Sequence, residues 1–192
     1  MDTALNRPSA RPRGRNQVTN ALLAATERLC ATGQPSSITV NDIAHEAAVT
    51  TSLLYFYFES KDELILATLR SIATEMDALA AGTTEPGKMA AAVSKSLHDR
   101  PAFVRILVWL VLEGRSMTQE MGGHPFLQRL VATLATNEAD DPITNAGAVV
   151  AMLLSNALLS PGINVALGRD ADDMRLVDAL NASIATALTT QR

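Results

Sequence analysis

Eight side chains between residues 39 and 61 have the chemistry to grip a nucleic acid: Thr39, Asn41, Thr50, Thr51, Ser52, Tyr55, Tyr57 and Lys61. Thr50, Thr51 and Ser52 are consecutive small hydroxyl residues. At the start of a helix they reach base edges or phosphates, and a threonine methyl can touch a thymine methyl. Asn41 carries an amide able to pair with a base. The phenols of Tyr55 and Tyr57 suit phosphate oxygens, and Lys61 adds a positive charge. Amides at two helix starts, near Thr39 and near Lys61, add dipolar phosphate contacts. Tyr55, Phe56 and Tyr57 are consecutive, so at least one must face outward on a helix, whereas Leu54 and Phe58 read as core. An outward aromatic beside hydroxyls and a lysine favours binding over burial.

These residues need a helix-turn-helix to present them, and the local pattern supplies one. Val18, Leu22, Ala25 and Leu29 form an apolar stripe over residues 16–32, closed by Gly33 at a C-cap position. Thr39 is a predicted N-cap with Asp42 at the third position, and Val40, Ile43, Ala44 and Ala47 face inward. Ala48 and Val49 form the turn. Thr50 caps a second short helix ending near Tyr57 or Phe58, with Val49, Leu53, Leu54 and Phe58 on its buried side. Ser60 and Glu63 form a capping box that starts a long helix to about Ala80.

Beyond it the sequence predicts only helices. One covers residues 88–98. The next starts at Pro101, capped by Asp99 or Arg100, and is apolar enough to be buried on most sides. Residues 117–123 read as irregular. A helix starts at Pro125, and another follows the Asp141-Pro142 cap and is ended by Pro161-Gly162. That helix is small and apolar all round, which calls for a second subunit as cover. The last helix spans 174–188.

The chain has 192 residues, 47% hydrophobic and 19% charged, which suits an all-α fold with an ample core. A single cysteine, Cys30, excludes an internal disulfide and any multi-cysteine zinc site. The net charge is −4, but it is unevenly spread. Residues 1–61 carry a balance of +1 and include an acid-free run with Arg7, Arg11, Arg13 and Arg15, whereas the remainder stands at −5. The first fifteen residues read as a flexible basic arm, equally consistent with DNA contact and with a solvated tail. No apolar signal segment opens the chain, and the run 146–160 is short for a bilayer, so the expectation is a cytoplasmic protein without a membrane partner.

The stretch resembles the DNA-binding module of the TetR family of transcriptional regulators. The matching residues are Gly33, then Ile38-Thr39-Val40-Asn41-Asp42-Ile43-Ala44, Ala48-Val49-Thr50, Leu54-Tyr55-Phe56-Tyr57-Phe58 and Ser60-Lys61-Asp62-Glu63-Leu64. The resemblance covers about fifty residues, 16–66. It implies an all-α fold: an N-terminal three-helix DNA-binding domain (residues 16–61) and a helical effector-binding and dimerisation bundle (62–192). It further implies a homodimer through the last two long helices, bound to a double-stranded operator. Repression would then be relieved by a small molecule. Thr39, Tyr55, Tyr57 and Lys61 would meet phosphate, and Asn41, Thr51 and Ser52 would lie near bases. Two departures stand out. Ala48 occupies a turn position that is usually glycine in the family, and the base-facing positions lack arginine and lysine, so direct guanine readout is weak.

No enzyme is expected. His45, His98 and His124 have no metal spacing, there is no nucleophile motif or phosphate-binding glycine loop, and no cofactor is implied. Arg105, Trp109 and Glu113, spaced four apart, with Leu112, Met117, Phe126, Met152 and Asn156, are the candidate lining of an effector pocket. Their paucity of buried charge suggests an apolar or aromatic effector. A Trp and Met set at helical spacing is more often ordinary core, and an Arg/Glu pair two turns apart is more often solvated surface. The alternative function is a helical dimeric interaction protein without effector response or without DNA binding.

Overall fold

The computed structural model describes residues 14–123, 125–136 and 141–190. Arg7, Arg11, Arg13 and His124 lie outside the described residues. The described chain is all-α, with ten helices and no strand. Three make an N-terminal head: α1 (Arg15–Thr32), α2 (Val40–Glu46) and α3 (Thr51–Tyr57). The rest form the body: α4 (Lys61–Ala80), α5 (Pro86–Asp99), α6 (Pro101–Leu112), α7 (Met117–Met121), α8 (Pro125–Thr136), α9 (Pro142–Ala166) and α10 (Arg175–Thr190).

The head is built as its caps dictate. Thr39 and Asp42 close a full capping box at the start of α2. The Thr50 hydroxyl accepts from the Leu53 amide at the start of α3. Between them Ala48 has φ 55, the left-handed region, and is the one non-glycine residue with positive φ in the described chain. The chain must reverse there so that Ile43 and Leu54 can meet, and both are fully buried. Gly33 does cap α1, donating its amide to the Leu29 carbonyl at 2.8 Å. It does so in extended backbone (φ −104), not in the left-handed conformation for which a glycine is usually chosen. Ser60 accepts from the Glu63 amide, but the Glu63 carboxylate accepts from the Glu59 amide, one residue outside a closed box.

One apolar core runs through head and body. α1 packs on α2, α4 and α6, and its Leu22 and Ala25 sit in the same cluster as Leu64, Leu69, Ile106 and Leu130. α5 packs against α10 and α9, and α8 against α9. Arg100 adds a polar tie: its guanidinium reaches Glu27 on α1 (3.1 Å) and Glu75 on α4 (2.7 Å).

Three expectations for the body are corrected. Residues 117–121 are a helical turn, capped by Ser116, which accepts from the Gln119 amide. Neither Asp99 nor Arg100 caps α6 with its side chain. α6 is buried on most sides, through Ala102, Phe103, Val104, Ile106, Leu107 and Leu110, with Val111 (56% exposed) and Leu112 (81%) turned outward at its end. Pro161-Gly162 does not end α9, which continues to Ala166. Proline lacks one donor, yet burial of Ser160 and Asn164 on the inner face holds the helical turn around it. At 25 residues α9 is thus long and apolar enough to cross a membrane by length and composition, unlike the shorter run read from the sequence.

Replacing Ala48 by Gly is expected to stabilise the protein by about 0.5–1 kcal/mol, because an exposed left-handed alanine is relieved and little packing is lost. Urea denaturation should show a higher midpoint at unchanged slope.

Candidate nucleic-acid interface

α3 presents one exposed stripe. Ser52, Tyr55 and Phe56, at the i, i+3, i+4 spacing of a helix face, are all exposed, while Leu54 is buried beneath and Phe58 is buried just past the helix end. Thr51 and Tyr57 flank the stripe, half-buried. Tyr55 is 56% and Phe56 77% exposed, and the Phe56 ring stands edge-on to Tyr57 at 5.1 Å. On α2, Asn41 is exposed, as are the caps Thr39 and Thr50. Of the eight predicted residues, Thr39, Asn41, Thr50, Ser52 and Tyr55 are exposed, and Thr51, Tyr57 and Lys61 are half-buried. The sequence reading passed over Phe56, the most exposed aromatic. Three aromatics in a row required an outward one, and the two with hydroxyl groups drew the attention.

Two of the predicted residues are committed to the protein itself. Thr39 donates both its amide (2.9 Å) and its hydroxyl (2.6 Å) to Asp42, so no donor of Thr39 is left over for a phosphate in this conformation. Lys61 is half-buried, and its ammonium donates to the carbonyls of Ser36 (3.2 Å) and Pro35 (3.4 Å). It ties α4 to the loop between α1 and α2, with one of three donors remaining. Thr50 differs, because its oxygen accepts from Leu53 and its proton is free to turn outward.

Positive charge is scarce on this side. Arg28 is paired with Glu46 at 2.6 Å. The start of α4 carries Asp62 and Glu63, which work against an anion at that helix end. The Thr39 hydroxyl and then its amide hold the Asp42 carboxyl below the ordinary carboxylate range. Cys30, behind the head, is pushed up to about 11 by burial, against a smaller opposing pull from Lys61. Its thiol is a core group and not a nucleophile.

The second predicted site is not assembled as expected. A cavity of about 180 Å³ lies among α4 to α9, and of the eight proposed lining residues only Met117 and Phe126 border it. Arg105, Leu112 and Glu113 are exposed instead. Trp109 is half-buried on the same outward side, with the Arg115 guanidinium 5.7 Å from its ring centre. Met152 (39% exposed) and the half-buried Asn156 lie on α9 outside the lining. Spacing of four placed Arg105, Trp109 and Glu113 on one face, but α6 turns its other face inward, with Phe103 and Leu107 on the cavity. Among the described residues no three His, Cys, Asp or Glu side chains cluster as metal ligands.

Residues 22–68 match the model for bacterial regulatory proteins of the tetR family. Over those residues the N-terminal module is similar to the tetR family. The chain is 42% identical over 79 residues to the HTH-type transcriptional regulator BetI of Brucella anthropi, covering 38% of this chain and 41% of that protein. Against the HTH-type transcriptional regulator EthR of Mycolicibacterium smegmatis it is 35% identical over 75 residues, covering 39% of this chain and 34% of the relative. The chain thus spans about two fifths or less of the curated relatives it matches. Likeness in fold extends further. A transcriptional regulator from Rhodococcus superposes with TM-score 0.68 at 20% identity, covering 90% of this chain and 96% of the other. A transcriptional regulator of the TerR/AcrR family from Aquifex aeolicus does so with TM-score 0.65 at 15% identity, covering 90% and 98%.

A carboxyl held low in the folded state stabilises above its unfolded pKa of about 4 and loses that contribution as pH falls. Between pH 5 and pH 2 the wild type should therefore lose more stability than Asp42→Asn, measured by urea denaturation at each pH. Equal acid sensitivity of the two proteins would contradict the capping role.

Proposed function

We propose that this chain is a DNA-binding transcriptional regulator of the tetR type, a homodimer that represses a nearby gene until a small apolar or aromatic molecule releases it. The observation that carries this reading is the exposed stripe Ser52, Tyr55 and Phe56 on a short helix whose N-terminus is capped by Thr50. An apolar aromatic pair of that exposure is costly on a free surface and is well used against sugar and base edges. In this reading Asn41, Thr51 and Ser52 face bases. Tyr55, Tyr57 and the hydroxyl of Thr50 meet phosphates. Lys61 contributes its remaining donor and its charge, and Thr39 acts by holding the start of α2. The arginine run before residue 15 would supply positive charge that the head itself lacks. Residues 16–61 would act as the DNA-binding domain, residues 62–192 as the effector-binding and dimerisation domain, and the protein would work in the cytoplasm.

Dimerisation is supported by α9. It carries no charge, and Ile143, Leu158, Leu159 and Ile163 on it are 43–73% exposed. A second copy covers such a face, with α10 alongside. A bilayer covers it less well, since the same helix carries Asn145, Ser155, Asn156, Ser160 and a buried Asn164. Two heads about 34 Å apart, one DNA turn, would then read a palindromic site. Release follows if the effector binds better to a dimer whose head spacing misfits that site. The second reading, a dimeric helical interaction protein that no longer binds DNA, is favoured by one observation: Arg28 and Lys61 are both engaged within the protein.

Mobility shift with the DNA upstream of its own gene separates the two. Saturable binding that weakens steeply with salt supports the regulator, and a folded dimer that binds nothing at low salt supports the alternative. Within the regulator reading, Lys61→Ala should weaken binding uniformly across sequences and lower the salt slope by about 1 per copy, whereas Thr51→Ala should change sequence preference. Leu159→Glu combined with Ile163→Glu should sediment as a monomer with unchanged helical circular dichroism, and should bind the operator at least about tenfold more weakly. A stable dimer from that double variant would move the interface elsewhere.

A further inference from the structure

The cavity of about 180 Å³ is walled by Met76 of α4, Leu97 of α5, Phe103 and Leu107 of α6, Phe126 of α8 and Leu153 of α9, with Met117 and Met121 of α7 beside them. Met117 also stands 38% exposed, so α7 forms the boundary between cavity and solvent. Its volume is close to that of a dry apolar cavity of about 150 Å³ that holds benzene. One ring with one or two further carbons fills such a space, and the three methionines can flex to shape it.

Asp77 is the one charged residue in the lining, and it is already committed. Both its oxygens accept from the same Arg129 nitrogen, at 2.8 and 2.9 Å. A cation entering the cavity would have to compete with that guanidinium for the carboxylate. An anion would meet a carboxylate and, on every other wall, carbon and thioether sulfur. Either charge would be stripped of water without a partner to replace it.

On the regulator reading above, in which this cavity is the effector site, we propose that it takes a compact, uncharged, largely apolar molecule, a single aromatic ring or an aliphatic body of that size, and that the Asp77–Arg129 pair is its filter against charge. The Asp77 carboxylate is closed by Arg129, whose Nε is buried without a partner but which does not itself border the cavity. Neutral molecules are indifferent to the pair, and charged molecules of the same shape find no open counter-charge on the lining.

The test uses the full chain and three probes of nearly equal size: toluene, benzoate and benzylammonium. Calorimetry should give toluene a dissociation constant at least about tenfold below that of either ion, with a negative heat-capacity change. Val150→Trp, which projects an indole into the cavity wall, should abolish toluene binding while leaving the helical circular dichroism unchanged. Asp77→Ala should raise benzoate affinity at least about tenfold over wild type, because Arg129 is then open to an anion. If Asp77→Ala does not fold, the wild-type probe series and Val150→Trp decide. Equal or tighter binding of either ion by the wild type, absence of toluene binding by the folded protein, or toluene binding that survives Val150→Trp would each overturn the proposal. Mobility shift on the same preparation keeps the two readings apart. DNA binding with the wrong probe order sinks the ligand class alone. Toluene binding without DNA binding sinks the regulator and leaves the ligand class standing.

Discussion

The burial of Leu54 is the interaction on which the reading head depends. α3 has seven residues, far below the length at which an isolated helix persists in water. Its outer stripe offers no help, since Ser52, Tyr55 and Phe56 face away from the core. What remains is Leu54, fully buried, with Phe58 just past the helix end and the Thr50 cap at its start. Leu54 reaches the core only if the chain reverses sharply after α2, and that reversal places Ala48 in a conformation alanine resists. The local strain at Ala48 is therefore offset by apolar burial a few residues on. The core that receives Leu54 is not private to the head. It continues through α1 and α4 into α6 and α8, so the angle of α3 is referred to the whole body.

Charge in this molecule is spent on geometry before it is offered to a partner. Arg28 holds α1 to α2 through Glu46, Lys61 holds α4 to the preceding loop, and Arg100 holds α1 and α4 to the α5–α6 junction. The first tie holds the head together internally, and the other two brace it against the body. The consequence for a DNA partner is a grip that rests on hydroxyls, aromatic rings and the few donors left over. Such a grip gains less from counterion release than an arginine-rich helix would. In the proposed dimer, two copies acting together would compensate for it, which would give the uncovered face of α9 a direct part in recognition.

Much of this was legible in the sequence, and the boundary is instructive. Caps and periodicity located α1 to α4 closely, because Thr39, Thr50 and Ser60 each carry a local signal that tertiary context does not override. The Asp141-Pro142 start of α9 was legible for the same reason. Its end was not. Pro161 is a local break signal, and it was overruled by the packing of Ser160 and Asn164, which no local pattern announces. The turn of helix at α7 escaped for want of periodicity in five residues. The cavity was misjudged on α6 through a different limit. Spacing establishes that Arg105, Trp109 and Glu113 share a face, but the rotation of that face is set by what α4 and α9 present to it. Leu112, among the most apolar candidates, is 81% exposed as a result.

α4 joins the two ends of the problem. Its first residue, Lys61, braces the reading head, and Asp77, sixteen residues later on the same helix, stands in the cavity wall. At 1.5 Å per residue the two are about 24 Å apart along one continuous rod. A cavity lined by such a rod need not send a signal through a chain of side chains. Any shift of α4 that widens or narrows the cavity also moves the start of the helix, and with it the loop that Lys61 holds. The opposing constraint is α7, which borders the cavity through Met117 and Met121 and is bonded to α4 by Arg70, whose guanidinium donates to the Glu120 carbonyl at 2.9 Å. Occupancy of the cavity acts on α4 only to the extent that two positions of the helix differ in their affinity for the occupant. The methionines on both sides of it, Met76 on α4 and Met117 and Met121 on α7, are the side chains that let two such positions both be well packed.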